Sequence, residues 1–231
     1  MMLTAGSLLA ADPKDDVSAA VKKVADAENY SWKSTTENGG GQGGFTPGPT
    51  EGKASKDGWA DIKTSFNDQE FETVWKGTNG AMNRGDGWQT FAEMAAANGG
   101  GGGRRGGFGR GGFTSPATQA ADILKQVKEV KESGGAYVAD LTEEGAKALA
   151  VPQFGGRRGG AGGGGPEVTG AKGKVTFWIK DGAVSKYVLK VSGKMTFNDQ
   201  DIDIDRTTTV EFKDIGTTKM TIPDEAKKKL S

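Results

Sequence analysis

Arg206 is the side chain whose setting first points to chemistry. From Asp201 to Lys213 the even positions read Ile202, Ile204, Arg206, Thr208, Val210 and Phe212, while Asp, Thr, Glu and Lys occupy the odd ones. That alternation has the period of a half-buried strand. It places one cation on the apolar side, where an unanswered charge is costly. A ligand's anionic head group at a cavity mouth would answer it; so would a nearby Asp, or a β-bulge that turns the residue outward. The carboxylates of Asp199, Asp201, Asp203 and Asp205 have a superficial calcium-loop spacing. They lack the loop's glycine and closing glutamate, and alternation with Ile marks them as the wet side of the same strand.

Other chemistry is narrowed by what is missing. The chain of 231 residues has no His and no Cys, which excludes Ser-His-Asp triads, His-based metal centres, thiolate nucleophiles and disulfides. Glu28, Glu72 and Glu93 show no acid-base pattern. The expectation is a protein that is not an enzyme and needs no cofactor. Arg and Phe recur in Gly-rich tracts, Gly103 to Phe113 and Phe154 to Gly160, in the manner of segments that hold single-stranded RNA. The 30 basic residues are balanced by 30 acidic ones, so no global field favours a polyanion. The tracts at 38–48, 98–113 and 154–166 read as loop insertions, and nucleic acid is not an expected partner.

The elements that must position these residues follow from periodicity. Asp12 and Pro13 open a helix whose Val17, Ala20, Val21 and Val24 share a face. Tyr30 to Ser34, Trp59 to Phe66 and Glu70 to Lys76 alternate as strands, the last with Phe71 and Trp75 on one side, and short strands at Ala81-Met82 and Trp88 to Phe91 continue the meander. Ser115 and Pro116 begin a second helix, with Ala120, Ile123, Leu124, Val127 and Val130 on one stripe and Gly134-Gly135 as its stop. A strand from Ala136 to Asp140 precedes a short helix capped by Thr142. Lys174 to Lys180, the turn Asp181-Gly182, and a return strand bearing Tyr187, Leu189 and Val191 form a long hairpin, with a bulge or bend at Gly193. Met1 to Ala11 has the apolar and small residues of a signal-peptide tail without its basic start, or is a frayed terminus. Residues 12–231 read as one exported domain, periplasmic or secreted, with no apolar run near the roughly 20 residues of a membrane span.

This order of elements, with Val175-Thr176-Phe177-Trp178-Ile179-Lys180-Asp181-Gly182 as a hairpin, Glu211 to Gly216 as a closing strand and then Ile222-Pro223, resembles the LolA/LolB-like and LppX/LprG-like lipoprotein-carrier superfamily. The resemblance implies an α+β fold in which a curved antiparallel sheet forms an incomplete β-barrel covered by helices. It further implies a cavity for a lipid or acyl-chain ligand, lidded here by helices at 13–27 and 116–132. Trp32, Phe71, Trp75, Phe177, Tyr187 and Leu189 are then the candidate ligand-binding residues, with Arg206 at the mouth. The chain lacks the lipobox Cys of anchored members. Two other classes stay open: an envelope protein without ligand that packs on a protein partner, and an RNA or polyanion binder acting through the Arg-Gly tracts. A monomer is expected.

Overall fold

The computed structural model describes residues 12–39, 48–66, 69–97, 112–151, 167–197 and 200–231. The expected leader at 1–11 and most of the Gly-rich tracts lie outside the described residues.

Helix α1, Pro13–Ala25, begins where Asp12 Oδ1 accepts a hydrogen bond of 2.9 Å from the Lys14 amide. Asp15 and Asp16 in its first turn and Lys22 and Lys23 in its last suit the helix dipole. Val17, Ala20, Val21 and Val24 are its buried stripe, as the spacing predicts. Strands β1 (Asn29–Asn38), β2 (Thr50–Ser55), β3 (Trp59–Phe66), β4 (Gln69–Lys76), β5 (Asn79–Asn83) and β6 (Trp88–Thr90) follow, then α2 (Phe91–Ala97) and α3 (Pro116–Leu124). The second half holds β7 (Val127–Ser133), β8 (Ala136–Leu141), α4 (Glu143–Ala150), β9 (Glu167–Lys180), β10 (Ala183–Phe197), β11 (Gln200–Lys213) and α5 (Asp224–Leu230).

All these strands form one sheet in the order β6-β5-β4-β3-β2-β1-β11-β10-β9-β8-β7. It is two antiparallel meanders, each built from sequence neighbours, joined where β1 pairs with β11. The sheet does not close on itself, so the architecture is an open half-barrel, as the resemblance implies. Strands β9, β10 and β11 have 14, 15 and 14 residues, roughly 45 to 50 Å each. Twist over such lengths curls a sheet. The inner face is lined by the even residues of β1 and β11 and the odd residues of β10, with α1 and α4 packed on it along β7 to β10.

Five elements differ from the sequence expectation. The helix expected to run from Pro116 through 132 ends at Leu124, and Val127–Ser133 is strand β7. Register between β7 and β8 shifts between Val127 and Val130: they oppose Leu141 and Ala139, three positions on one strand against two on the other. This bulge brings both valines to one buried face at a spacing that imitates a helix. Gly134 and Gly135, at φ of 60° and 75°, make the two-residue turn of a hairpin rather than a helix stop. Strand β2 was not expected, because its buried residues are Gly52 and Ala54, which carry no apolar signal. Helices α2 and α5 were not expected either, and Phe91 opens α2 instead of ending β6. Thr90 and Glu93 form a capping box there: Glu93 N donates to Thr90 Oγ1 at 3.0 Å, and Thr90 N donates to Glu93 Oε2 at 2.8 Å.

Gly52 faces Trp32 across the β1–β2 pair, and any β-carbon at Gly52 would overlap the six-membered ring of that indole. Gly52→Ala should therefore displace Trp32 and lower stability by about 1 to 3 kcal/mol. Urea denaturation followed by Trp fluorescence measures this, and an unchanged midpoint would show that the indole has room to move.

Candidate functional site

The inner face divides into two halves of different chemistry. Under α1 and α3 it is aromatic. Trp32 on β1 stacks on Phe113, with centroids 5.7 Å apart and planes at 20°, and lies 5.8 Å from Tyr30. Tyr30 meets Phe212 edge-on at 5.7 Å, Phe212 lies 6.2 Å from Tyr187, and Tyr187 lies 5.9 Å from Phe177. Strand register makes this chain of rings: Phe212 is opposite Trp32, Val210 opposite Tyr187, and Phe177 opposite Tyr187. Phe177 is completely buried and Tyr187 nearly so, and burial raises the pKa of the Tyr187 hydroxyl above its ordinary value. The protein's own side chains fill this half.

Further along the strands the inner face becomes mixed. Ser34, Thr36, Thr50, Ile62, Thr64, Phe71, Thr73 and Thr208 are all half-buried. Thr36 is opposite Thr208, Ser34 opposite Thr50, Thr50 opposite Thr64, and Thr64 opposite Phe71, so these residues form a band across the middle of the sheet. Some hydroxyls satisfy one another, as with Thr50 and Thr64 at 3.2 Å and Thr36 and Thr208 at 3.5 Å. The main helix contacts on the sheet run from α1 and α4 to β7 through β10 and from α2 and α5 to β4 through β6. The band on β1, β2, β3 and β11 is therefore the least covered part of the inner face among the described residues.

Arg206 stands at the border of this band beside α4. It is half-buried on the inner side of β11, opposite Asn38 on β1 and Val191 on β10. Pairing of β10 with β11 is unbroken, so no bulge turns the residue outward. Its Nη2 donates a hydrogen bond to the main-chain carbonyl of Leu149 in the last turn of α4, a position where a cation complements the helix dipole. Burial holds its pKa below the usual guanidinium value. Among the described residues no carboxylate lies within ion-pair distance of it.

The candidate residues thus fall into groups. Phe177, Tyr187, Leu189 and Trp32 belong to the packed half, Phe71 lies on the open band, and Arg206 borders it. Trp75 sits toward the sheet edge, 4.9 Å from Phe91. Ser34, Thr36, Thr50, Thr64 and Thr208 were not singled out from the sequence, although their alternation with charged residues on β1 and β11 marks them as facing inward. Trp59 and Trp88 belong to a separate cluster on the outer face with Val74, Ile222, Ala226 and Leu230, and Trp178 lies under the Lys186 ammonium at 4.6 Å. Also on the outer side, Ser31, Lys53, Asp214, Thr217, Thr218 and Lys219 line a shallow groove of about 340 Å³. Asp201, Asp203 and Asp205 are exposed there too, as the strand reading of that run requires.

Among the described residues a carboxylate also departs strongly from ordinary behaviour. Burial, then the neighbouring Glu72 carboxylate, pushes the pKa of Asp61 up to about 6, against smaller opposing effects of Lys63 and Lys53. Its Oδ1 is buried without a hydrogen-bond partner among the described residues. Asp61 is opposite Val74, which is in the outer cluster, so this carboxylate does not face the band.

No protein-family model matches the sequence, and no curated protein sequence is significantly similar to it. Solved structures align with it over most of its length. The crystal structure of LprF from Mycobacterium bovis aligns with a TM-score of 0.50 at 13% identity, over 93% of this chain and 97% of that one. The Mycobacterium tuberculosis lipoprotein LppX aligns with a TM-score of 0.49 at 10% identity, over 91% and 98% of the two chains. A LolA superfamily protein from Nitrosomonas europaea gives 0.33 at 6% identity, over 92% and 96%. The likeness to LprF establishes the half-barrel over nearly the whole of both chains.

The Asp61 site predicts an inverted pH response. Its folded pKa lies above the unfolded value, so the penalty is absent below about pH 4, grows as pH rises, and is complete above about pH 6. Asp61→Asn should raise stability at pH 7.5 by on the order of 1 kcal/mol, allowing for solvent screening of a half-exposed group, and should have little effect at pH 4. Thermal denaturation at the two pH values checks this; an equal change at both would mean that the carboxyl is not the cause.

Proposed function

We propose that this protein is a non-catalytic carrier that holds a lipid or another apolar molecule on the inner face of its half-barrel, outside the cytoplasm. The observation that carries the reading is the uneven cover of that face. One half is sealed by aromatic rings and helices, while the other presents Ile62, Phe71 and a row of hydroxyls beneath no closely packed helix among the described residues. An apolar ligand laid there would remove the exposed parts of those side chains from water, at roughly 25 cal/mol for each Å² of apolar surface. The half-barrel shared with LprF and the superfamily resemblance of the sequence support the same reading, because that superfamily uses this face for acyl chains.

In this scheme Phe71 and Trp32 border the ligand, Trp75 closes the β4 side, and Arg206 stands at the opposite rim. Phe177, Tyr187 and Leu189 form the rigid wall behind, whose packing keeps the sheet curved when the site is empty. The partner is a small amphipathic or apolar molecule rather than a nucleic acid. Export, to the periplasm or outside the cell, is in keeping with the superfamily resemblance.

Organic extraction of the purified full-length protein followed by mass spectrometry should release a lipid in near-stoichiometric amount. Phe71→Asp should weaken binding of an added alkyl-chain ligand by roughly tenfold or more, since it replaces an apolar contact by a charge, with little change in melting temperature. Absence of any extracted lipid, together with no binding of alkyl ligands by the delipidated protein, would leave the sheet as a docking scaffold and overturn the carrier reading.

A further inference from the structure

Arg206 carries a second conclusion, which rests on the carrier reading and names the chemistry of the ligand. Its guanidinium is drawn into the inner face by unbroken β10–β11 pairing, and its partner there is a neutral carbonyl of Leu149. A guanidinium has five N–H donors in a planar fork, so the bond to Leu149 leaves most of its capacity unused. The carbonyl supplies a partial charge only. A half-buried cation without an anion is energetically unfavourable.

The sequence removes the obvious internal counterions. Outside the described residues the chain contains two acidic residues, Asp68 and Asp199. Asp199 precedes Gln200, which is six positions along β11 from Arg206, or roughly 20 Å. The Gly-rich tracts hold no Asp or Glu; the charged residues at 98–113 and 154–166 are Arg104, Arg105, Arg110, Arg157 and Arg158. The tracts at 98–113 and 154–166 carry only positive charge and that at 38–48 carries none, so no segment of them can neutralise Arg206.

Its surroundings fit a ligand that is charged at one end and apolar along its length. Ile204 and Val191 flank Arg206 on the inner face, Thr208 follows it on the same side of β11, and the hydroxyl band leads from there toward Ile62 and Phe71. We propose that the ligand is an anionic amphiphile whose carboxylate or phosphate is bound by Arg206, with its alkyl part lying across the band. The fork can engage an anion through two N–H groups while a third keeps the bond to the end of α4.

The test uses the full-length protein after delipidation, titrated calorimetrically with laurate, dodecyl phosphate and dodecanol. These share a twelve-carbon chain and differ at the head. The expected result is binding of at least one of the two anions roughly tenfold or more tighter than dodecanol, the scale of a charge-assisted hydrogen bond; which anion is favoured separates a fatty acid from a phosphate ester. Arg206→Gln keeps a polar side chain but is shorter and has no charge, and it should abolish the preference, bringing both anions to the affinity of dodecanol. Arg206→Lys should keep part of the preference. Equal affinity for all three ligands in the wild type, or a preference that survives in Arg206→Gln, overturns the anion assignment while the carrier reading stands. Binding of none of the three overturns both.

Discussion

Pairing of β1 with β11 is the interaction on which the rest of the molecule depends. Among the described residues every other strand pair joins neighbours in sequence, but this one brings Ser31 to Asn38 against Lys213 to Arg206, across almost the whole chain. Two separate meanders become one sheet through it. It also sets Trp32 opposite Phe212 and Thr36 opposite Thr208, so a single ladder fixes both the aromatic wall and the polar band. A slip of one residue would send each of these side chains to the other face. Contacts this distant in sequence are slow to form because the intervening chain must first be closed into a loop; the local meanders on either side reduce the disorder to be overcome.

Under the proposed carrier role the inner face has to meet two opposing demands. An open sheet with eleven strands exposes apolar surface that must be buried for the fold to be stable, whereas a carrier needs some of that surface accessible. Here the two are separated in space. Interlocked rings from Tyr30 to Phe177 with the valines of α1 bury the first half, and close packing there resists deformation. Threonines on the second half tolerate partial hydration, because their hydroxyls bond to one another or to water while their methyl groups remain available for apolar contact. Arg206 marks the boundary, held by the last turn of α4.

Much of this was readable along the chain because strand parity is a local property. Alternation placed Arg206 inward on β11, and the structure keeps it there through unbroken pairing. Asp181-Gly182 and the helix caps at Asp12, Ser115 and Thr142 are equally local, since each depends on residues within a few positions of one another. Where local signals were ambiguous the reading failed. Val127 and Val130 imitate a helix because a bulge supplies the extra residue, and a bulge is defined by the partner strand. Strand β2 is nearly silent because its buried positions are Gly52, which fits beneath the Trp32 ring, and Ala54, which is opposite Tyr30.

The order of residues by itself determined the chemistry on offer: no imidazole or thiol for catalysis, an inward-facing arginine, a surplus of aromatic rings, and Gly-rich tracts without a carboxylate. Tertiary structure alone decided which of those rings pack on one another and which face remains uncovered, because both depend on how the β1–β11 ladder aligns two halves of the chain that are distant in sequence. It also decided that Arg206 meets the end of α4 instead of an aspartate. Side-chain direction follows from a two-residue period along one strand; the identity of what stands opposite follows only from register between strands and from the helices laid over them.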